Sequence, residues 1–352
     1  MLAAPVVFII FNRPEATSQV FREIARARPK KLFIIADGPR NGDARDAALC
    51  AQTRAVVERI DWKCEVFKKY SSTNVGLTRS ILAGIDWVFD QVEEAIILED
   101  DCLPHPTFFP YCAELLEKYR ADERVMMIAG RNRFRLPTPY SYCFTYNHSN
   151  WGWATWRRAW RHHDLTMESW PRLKKSRWLS SIIHRESLAS DWERIFDEMH
   201  ATSSNPRTWD YQWTYAVWSR NGLAVTPSVN LIKNIGFGEG ATNTTSLDDT
   251  RATVPAKPIS FPLIHPPAVA RDALADHIVF ERMAAEWGSE DTELSLRRRI
   301  SRRIPERIKA PLRRIRRYSL RRYTAGAAIP EGVLPESSGF TQFVESVLHL
   351  AR

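Results

Sequence analysis

The chain has 352 residues, 44% of them hydrophobic and 26% charged, with a formal net charge of +9. That composition excludes a disordered polar chain and a membrane-embedded bundle, and the length suits one large or two modest domains. The positive charge does not argue for nucleic acid as a partner, because residues 297–322 hold thirteen Lys and Arg against one Glu, Glu306. That local +12 leaves −3 on the rest of the chain.

The first 130 residues alternate regularly. "AAPVVFIIFNRPE" carries six apolar residues after Pro5, too few for a signal peptide or a span, and reads as a buried strand over 6–11 followed by a helix from Pro14. Strands over 31–37 and 64–70 follow, with a charged, Ala-rich helix over 43–60 between them. Helical spacing then appears at Leu77, Ile81, Ile85 and Val88. "AIILED" is a fourth strand, Pro106 opens a helix through Tyr119, and "VMMIAG" at 125–130 is a fifth strand. Short apolar runs alternating with amphipathic helices indicate βαβ units and a mostly parallel sheet in an α/β fold.

After Gly130 the pattern changes. A strand is expected over 141–147, and ten of the 13 tryptophans fall between Trp151 and Trp218. A helix is expected from Trp209 to Arg220, ended by Asn221-Gly222, then the short strand "LAVTP" and a Gly-rich loop over 234–245. A Pro-rich connector over 255–267 is expected to lead away from this core. The basic tail carries Ile and Leu every three to five residues and is interrupted by Pro305 and Pro311. It reads as two or three short amphipathic helices suited to an anionic membrane surface, where each basic residue adds about 1 kcal/mol, and equally as a solvated or nucleic-acid-binding charge run. Five cysteines (Cys50, Cys64, Cys102, Cys112, Cys143), odd in number and without a C-x-x-C pair, favour reduced, mostly buried thiols in a cytoplasmic setting.

Ligands of open α/β sheets bind outside the carboxyl ends of the strands. Those ends carry Asn12 and Arg13, then Asp37, then Asn74, Gly76 and Arg79, and finally Glu99, Asp100 and Asp101. Three adjacent carboxylates raise one another's pKa unless a cation sits among them. Hard divalent ions take carboxylate oxygens together with phosphate and water. In a continuing strand Asp100 would point away from Glu99 and Asp101, whereas a turn at Asp100 lets all three face one ligand. Acidic and basic groups on one edge suit a ligand with sugar hydroxyls and metal-bridged phosphates. Asp210 falls in the first turn of its helix, where negative charge is favoured; that suits a general base, but the residues alone favour an ordinary cap or first-turn carboxylate.

Taken together, "FNRPE", "ADGPR", "NVGLTRSILAGI" and "IILEDDCLPHPTFFPYC" resemble the nucleotide-sugar half of GT-A glycosyltransferases. "GWATWRRAWRHHD" and "TWDYQWTYAVWSRNGLAVTPSVNLIKNIGFGEGATNT" are similar to the acceptor half of the N-acetylglucosaminyltransferase I type and its bacterial relatives. The resemblance covers roughly residues 5–250. It implies a Rossmann-like GT-A sheet, with residues 1–130 as the nucleotide-sugar-binding half and 131–253 as the acceptor half. A connector and helix over 254–296 and the tail over 297–352 lie beyond it.

By the same resemblance, Asp101 ligates Mn²⁺ (or Mg²⁺) bridging the donor diphosphate, Asp100 bonds the ribose, and Glu99 bonds the sugar or ribose. Asp37 reads a uracil imide, Arg13 lies beside the nucleotide, and Asp210 is the base of an inverting displacement. The expected partners are a UDP-sugar donor and a saccharide or glycoconjugate acceptor, with the tail holding the enzyme at the inner face of a membrane. Trp151, Trp153, Trp156 and Trp209 are candidates for stacking on the acceptor, although most of the ten tryptophans are expected in the core. The loop at Gly236, Gly238 and Gly240 is a candidate lid. His148, His162 and His163 read as ordinary polar residues, the pair on a helix surface.

Two other readings compete. A sugar nucleotidyltransferase also binds a metal on a parallel sheet, but it usually places a Gly-rich basic loop after its first strand, and "FNRPEATSQ" contains no glycine. A non-catalytic glycan-binding protein on the same scaffold would bind glycan without donor and be indifferent to Asp210.

Overall fold

The computed structural model describes residues 1–237 and 254–287. Gly238, Gly240 and the basic tail lie outside the described residues. The chain divides into two compact units, 1–286 and 287–352, and the described residues fall almost wholly in the first.

Four strands run parallel: β1 (Val6–Ile10), β2 (Lys31–Ala36), β3 (Glu65–Tyr70) and β4 (Glu94–Glu99). Helices α1 (Pro14–Ala27), α2 (Ala44–Val56) and α3 (Leu77–Phe89) link them. β1 is buried at every position, as β-branched and aromatic runs covered on both faces should be. β3 forms the edge, and its exposed Lys68 and Lys69 discourage further pairing. The short β5 (Cys102–Pro104) precedes α4 (Phe108–Lys118), β6 (Val125–Ala129), β7 (Tyr142–Thr145) and β8 (Trp153–Trp156). Helices α5 (Arg157–Trp160), α6 (Trp170–Lys175), α7 (Leu179–Ile182), α8 (Glu186–Ala201) and α9 (Asp210–Ser219) follow. The chain then returns through β9 (Leu223–Pro227) and β10 (Ile232–Asn234).

The eight-stranded sheet has the order β3-β2-β1-β4-β8-β6-β9-β7, with β8 antiparallel to both neighbours and β7 antiparallel to β9. The expected mostly parallel α/β sheet is therefore present. From β1 the chain builds outward through β2 and β3, then crosses back to place β4 on the other side of β1. The order reverses there, and the two strand ends diverge into a crevice. β5 and β10 pair antiparallel in a small second sheet just beyond the end of β4.

Two layers of helix cover the sheet. Phe8, Ile10 and Ile34 share one core with Val20, Phe21 and Ile24 of α1 and with Phe109 and Leu116 of α4. On the other face Phe33 meets Trp87 of α3 edge-on at 5.6 Å, and Trp213 of α9 reaches Met127 of β6.

Three expectations change. β8 was hidden because "WATW" reads as part of an aromatic cluster; its pairing with β4 and β6 makes it a central strand. The "HH" pair is not a helix-surface pair: it follows α5, and His163 stacks on Trp160 at 4.6 Å. The connector does not lead away. Ile259 and Leu263 are buried in the main core, and a helix beginning at residue 273 places Ala275 and Val279 against Phe134, Leu136 and Cys143. All five cysteines are free, four of them buried.

Asp276 fastens this return segment. It is 0% exposed and accepts from the backbone N–H groups of Tyr146 and Asn147 at 3.0 and 3.3 Å and from Arg271 Nε at 2.6 Å. Asp276→Ala leaves three half-buried donors without their acceptor and is expected to cost about 2–3 kcal/mol of unfolding free energy in urea denaturation. Asp276→Asn, which keeps an acceptor oxygen, is expected to cost less.

Candidate active site

At the adjacent ends of β1 and β4 the structure brings together Arg13 and the acidic turn, two of the groups that the sequence places at the strand ends. β4 ends at Glu99, the chain turns through Asp100 and Asp101, and β5 begins at Cys102. The turn at Asp100 is thus observed. Asp100 is buried, and its Oδ2 accepts the Phe11 backbone N–H at 3.2 Å, which ties the turn to the end of β1. Arg13 Nη1 donates to Asp101 Oδ2 at 2.9 Å and lies 3.6 Å from Asp100 Oδ1. The Cys102 thiol donates to Asp101 Oδ1 at 3.4 Å.

Among the described residues one guanidinium, that of Arg13, pairs with these carboxylates, and it does not balance this much negative charge. Burial, followed by the charges of Asp101, Asp100 and Asp210, pushes the Glu99 carboxyl well above the ordinary range, with Arg13 opposing. Burial and Asp101 push Asp100 up to about 7 against the opposing effects of Arg13 and the Phe11 N–H. Among the described residues no cluster of three or more His, Cys, Asp and Glu forms a ready-made metal cage.

Asp210 reaches this crevice through the aromatic packing beneath it. Trp153, at the start of β8, pairs with Ile97 of β4 and stacks on Trp209 with ring centroids 5.7 Å apart. Trp209 immediately precedes α9, so Asp210 opens that helix beside the end of β4. The Thr208 hydroxyl donates to Asp210 Oδ1. His163 Nε2 contacts the Trp209 carbonyl at 3.2 Å. Trp153 and Trp209 are only 1% and 5% exposed, so they offer no face to a sugar, which corrects that expectation. They aim α9 instead. Trp156 is equally buried, with its indole N–H on the Leu116 carbonyl.

The remaining residues shape the walls. Asp37 Oδ1 accepts from the backbone N–H groups of Gly38 and Val75 at 2.8 and 3.0 Å. Its Oδ2 accepts from Asn74 Nδ2 and the Gly76 N–H, each at 3.1 Å. With two donors on each oxygen this carboxylate folds its own loop, and a uracil imide would have to displace one of them. Gly76 sits at φ +90, a conformation side chains disfavour. Asn12 donates to the buried Asp46 at 2.5 Å and joins the end of β1 to α2, whose first residues are capped by Asp43. Arg79 is exposed in the first turn of α3, and among the described residues no ion pair joins it to the carboxylates. Gly236 is pressed against Asp101: a methyl added there would lie 2.4 Å from Oδ2.

Sequence reasoning missed Arg131. It is buried just beyond the end of β6, with its guanidinium 3.9 Å over the Trp151 ring, and Trp151 meets Phe237 at 5.8 Å. The signal was present in "AGRNR", since the same strand-end logic that picks out Arg13 applies to the fifth strand.

The raised Asp100 has a measurable consequence. Between about pH 4 and about pH 7 the folded protein keeps a proton there that the unfolded chain has released, so ionising Asp100 costs stability as pH rises through that window. Asp100→Asn keeps an acceptor for the Phe11 N–H and removes the titration. In metal-free urea denaturation its stability relative to the parent should rise between pH 4 and 8 by about 1–3 kcal/mol. A difference flat with pH would contradict the burial assigned to this carboxyl.

No family model matches the chain, and no curated protein matches it. Among solved structures, UDP-glucose pyrophosphorylase complexed with UDP-glucose is similar at 13% identity and a TM-score of 0.24. The match covers 41% of this chain and 62% of that one, so the chain spans less than two thirds of that protein's length. A likeness at this level carries no argument.

Proposed function

We propose that the chain is an inverting, metal-dependent glycosyltransferase of the GT-A type that moves a sugar from a UDP-sugar to a hydroxyl of a saccharide or glycoconjugate. One observation carries the reading: at the crevice where the strand order reverses, an acidic turn paired with Arg13 stands beside an aspartate that opens a separate helix. Two groups of carboxylates from different elements on one cleft suit two tasks, holding a donor and deprotonating an acceptor.

The donor set fits a divalent ion. Its atoms are hard carboxylate oxygens in excess over the one guanidinium, and burial together with mutual repulsion makes that excess costly. Asp101 is the ligand proposed for Mn²⁺ or Mg²⁺, with phosphate oxygens and water completing the shell, and the bound ion would neutralise charge on the departing diphosphate. Arg13 adds its own charge to the same diphosphate. Asp100 and Glu99 would bond the ribose and sugar hydroxyls, and the loop shaped by Asp37 would wall the base. Asp210, held by the Thr208 hydroxyl, would take the proton of the acceptor hydroxyl as that oxygen attacks the anomeric carbon from the face opposite the leaving group. Arg131 and Trp151 line the acceptor side.

The basic segment over 297–322 is the reason to place the enzyme on an anionic membrane surface, where lipid-linked glycans are built. No helix among the described residues is long and apolar enough to cross a membrane.

Thermal shift with a panel of nucleotide sugars, with and without Mn²⁺, tests the donor. A UDP-sugar should raise the melting temperature and Mn²⁺ should enlarge the shift, while Asp101→Ala should lose the metal-dependent part and keep the fold. Asp210→Asn should lower kcat by about 10²–10⁴-fold with donor affinity within about threefold. Release of pyrophosphate in place of UDP would move the reading to a nucleotidyltransferase, and glycan binding indifferent to Asp210 would move it to a non-catalytic protein.

A further inference from the structure

Both carboxylate oxygens of Asp101 are engaged by this chain's own groups. Oδ2 accepts from Arg13 Nη1 at 2.9 Å, and Oδ1 accepts from the Cys102 thiol at 3.4 Å. Gly236 closes a further side, since even a methyl there would fall 2.4 Å from Oδ2. The same Arg13 nitrogen lies 3.6 Å from Asp100 Oδ1, so one guanidinium spans both members of the turn. A thiol is a weak donor, and Arg13 is the strong partner.

The two partners of this pair differ in freedom. Asp101 is fixed by the turn between β4 and β5, and its carbonyl accepts the Ile235 N–H at 2.8 Å. The Arg13 backbone is equally fixed, between β1 and a helix that opens on Pro14. Its side chain is 23% exposed, and its long aliphatic stem offers several rotamers that move the guanidinium while the α-carbon stays in place. A divalent ion and a guanidinium on the same carboxylate oxygen repel each other. A diphosphate offers the guanidinium a multiply charged alternative, whose oxygens its planar fork can bind through two N–H groups.

We propose that Arg13 is a resident cation on the divalent-ion site, and that Asp101 becomes available to Mn²⁺ or Mg²⁺ only when a diphosphate draws the guanidinium away. The inference rests on the donor site proposed above and adds to it a coupling. Arg13 suppresses metal binding to the empty crevice, and nucleotide lifts that suppression. By linkage, the factor by which UDP tightens the metal is the factor by which the metal tightens UDP. The device keeps the ion tied to the presence of donor, so a metal-loaded crevice without nucleotide is rare.

The test measures Mn²⁺ binding alone to the full chain, by calorimetry and by the loss of the free-ion electron paramagnetic resonance signal, first without nucleotide. Arg13→Gln should bind Mn²⁺ at least tenfold more tightly than the parent, a change of about 1.4 kcal/mol. Adding Asp101→Asn to it should abolish the gain. Arg13→Met, which keeps the aliphatic stem, takes the same readout if Arg13→Gln is too unstable to assay. With UDP present, the parent should gain at least tenfold in Mn²⁺ affinity, and the Arg13 variants should gain less than threefold. An unchanged or weaker Mn²⁺ affinity in both Arg13 variants, or a gain that survives Asp101→Asn, overturns the inference. If the Arg13 variants gain the ion at Asp101 but UDP binds to no form of the protein, the resident-cation role stands and the donor reading fails.

Discussion

The pairing of Arg13 with Asp100 and Asp101 is the contact on which the rest of the crevice depends. It joins the ends of β1 and β4 at the point where the strand order reverses, so the loops on either side of the reversal are fixed by charge as well as by backbone pairing. It is also incomplete. One guanidinium faces Glu99, Asp100 and Asp101, with Asp210 near enough to add to the repulsion on Glu99. A buried surplus of negative charge is unfavourable to the isolated protein, and proteins concentrate such unfavourable arrangements where a ligand relieves them.

The second organising element is apolar. Trp153, Trp160, Trp209 and Trp213 pack in a chain of ring contacts between 5.2 and 6.1 Å under the start of α9, with His163 stacked at its margin. Aromatic pairs at these separations contribute about 0.5–1.5 kcal/mol each beyond their buried area. Their larger effect is directional: β8 holds Trp153, Trp153 holds Trp209, and Trp209 sets where Asp210 begins its helix. The aromatic density in this part of the chain is therefore scaffold for a carboxylate.

How much of this was legible in the sequence follows from which signals are local. The βαβ half could be read because its strands are continuous apolar runs and its helices have clean spacing, and the strand-end rule then located Arg13 and the acidic turn. The turn at Asp100 is only one of two alternatives in the sequence, because nothing local distinguishes a strand that stops at Glu99 from one that continues. β8 was not legible: four residues flanked by other tryptophans carry no period, and only its pairing with β4 and β6 defines it. Asp37 shows the same limit differently. Its position could be read, but that it has four donors of its own depends on the fold of a loop 37–39 residues further along the chain. The tryptophans misled because residue type records that a ring is large and apolar, and burial alone decides whether a ring face meets a ligand. The return segment fastened by Asp276 was hidden because prolines mark irregular chain without saying whether it leaves or packs.

The antiparallel course of β8 also separates what the protein can vary. Running against β4, it brings residues 146–152 to the same rim as the acidic turn, from the opposite direction along the chain. That stretch is anchored by Asp276 and makes no ladder contact with β1 or β2. Insertions or exchanges there would remodel one bank of the cleft and leave the other bank's wiring intact. Changes in that stretch can therefore alter one margin of the cleft while the ion pair that closes the other stays as it is.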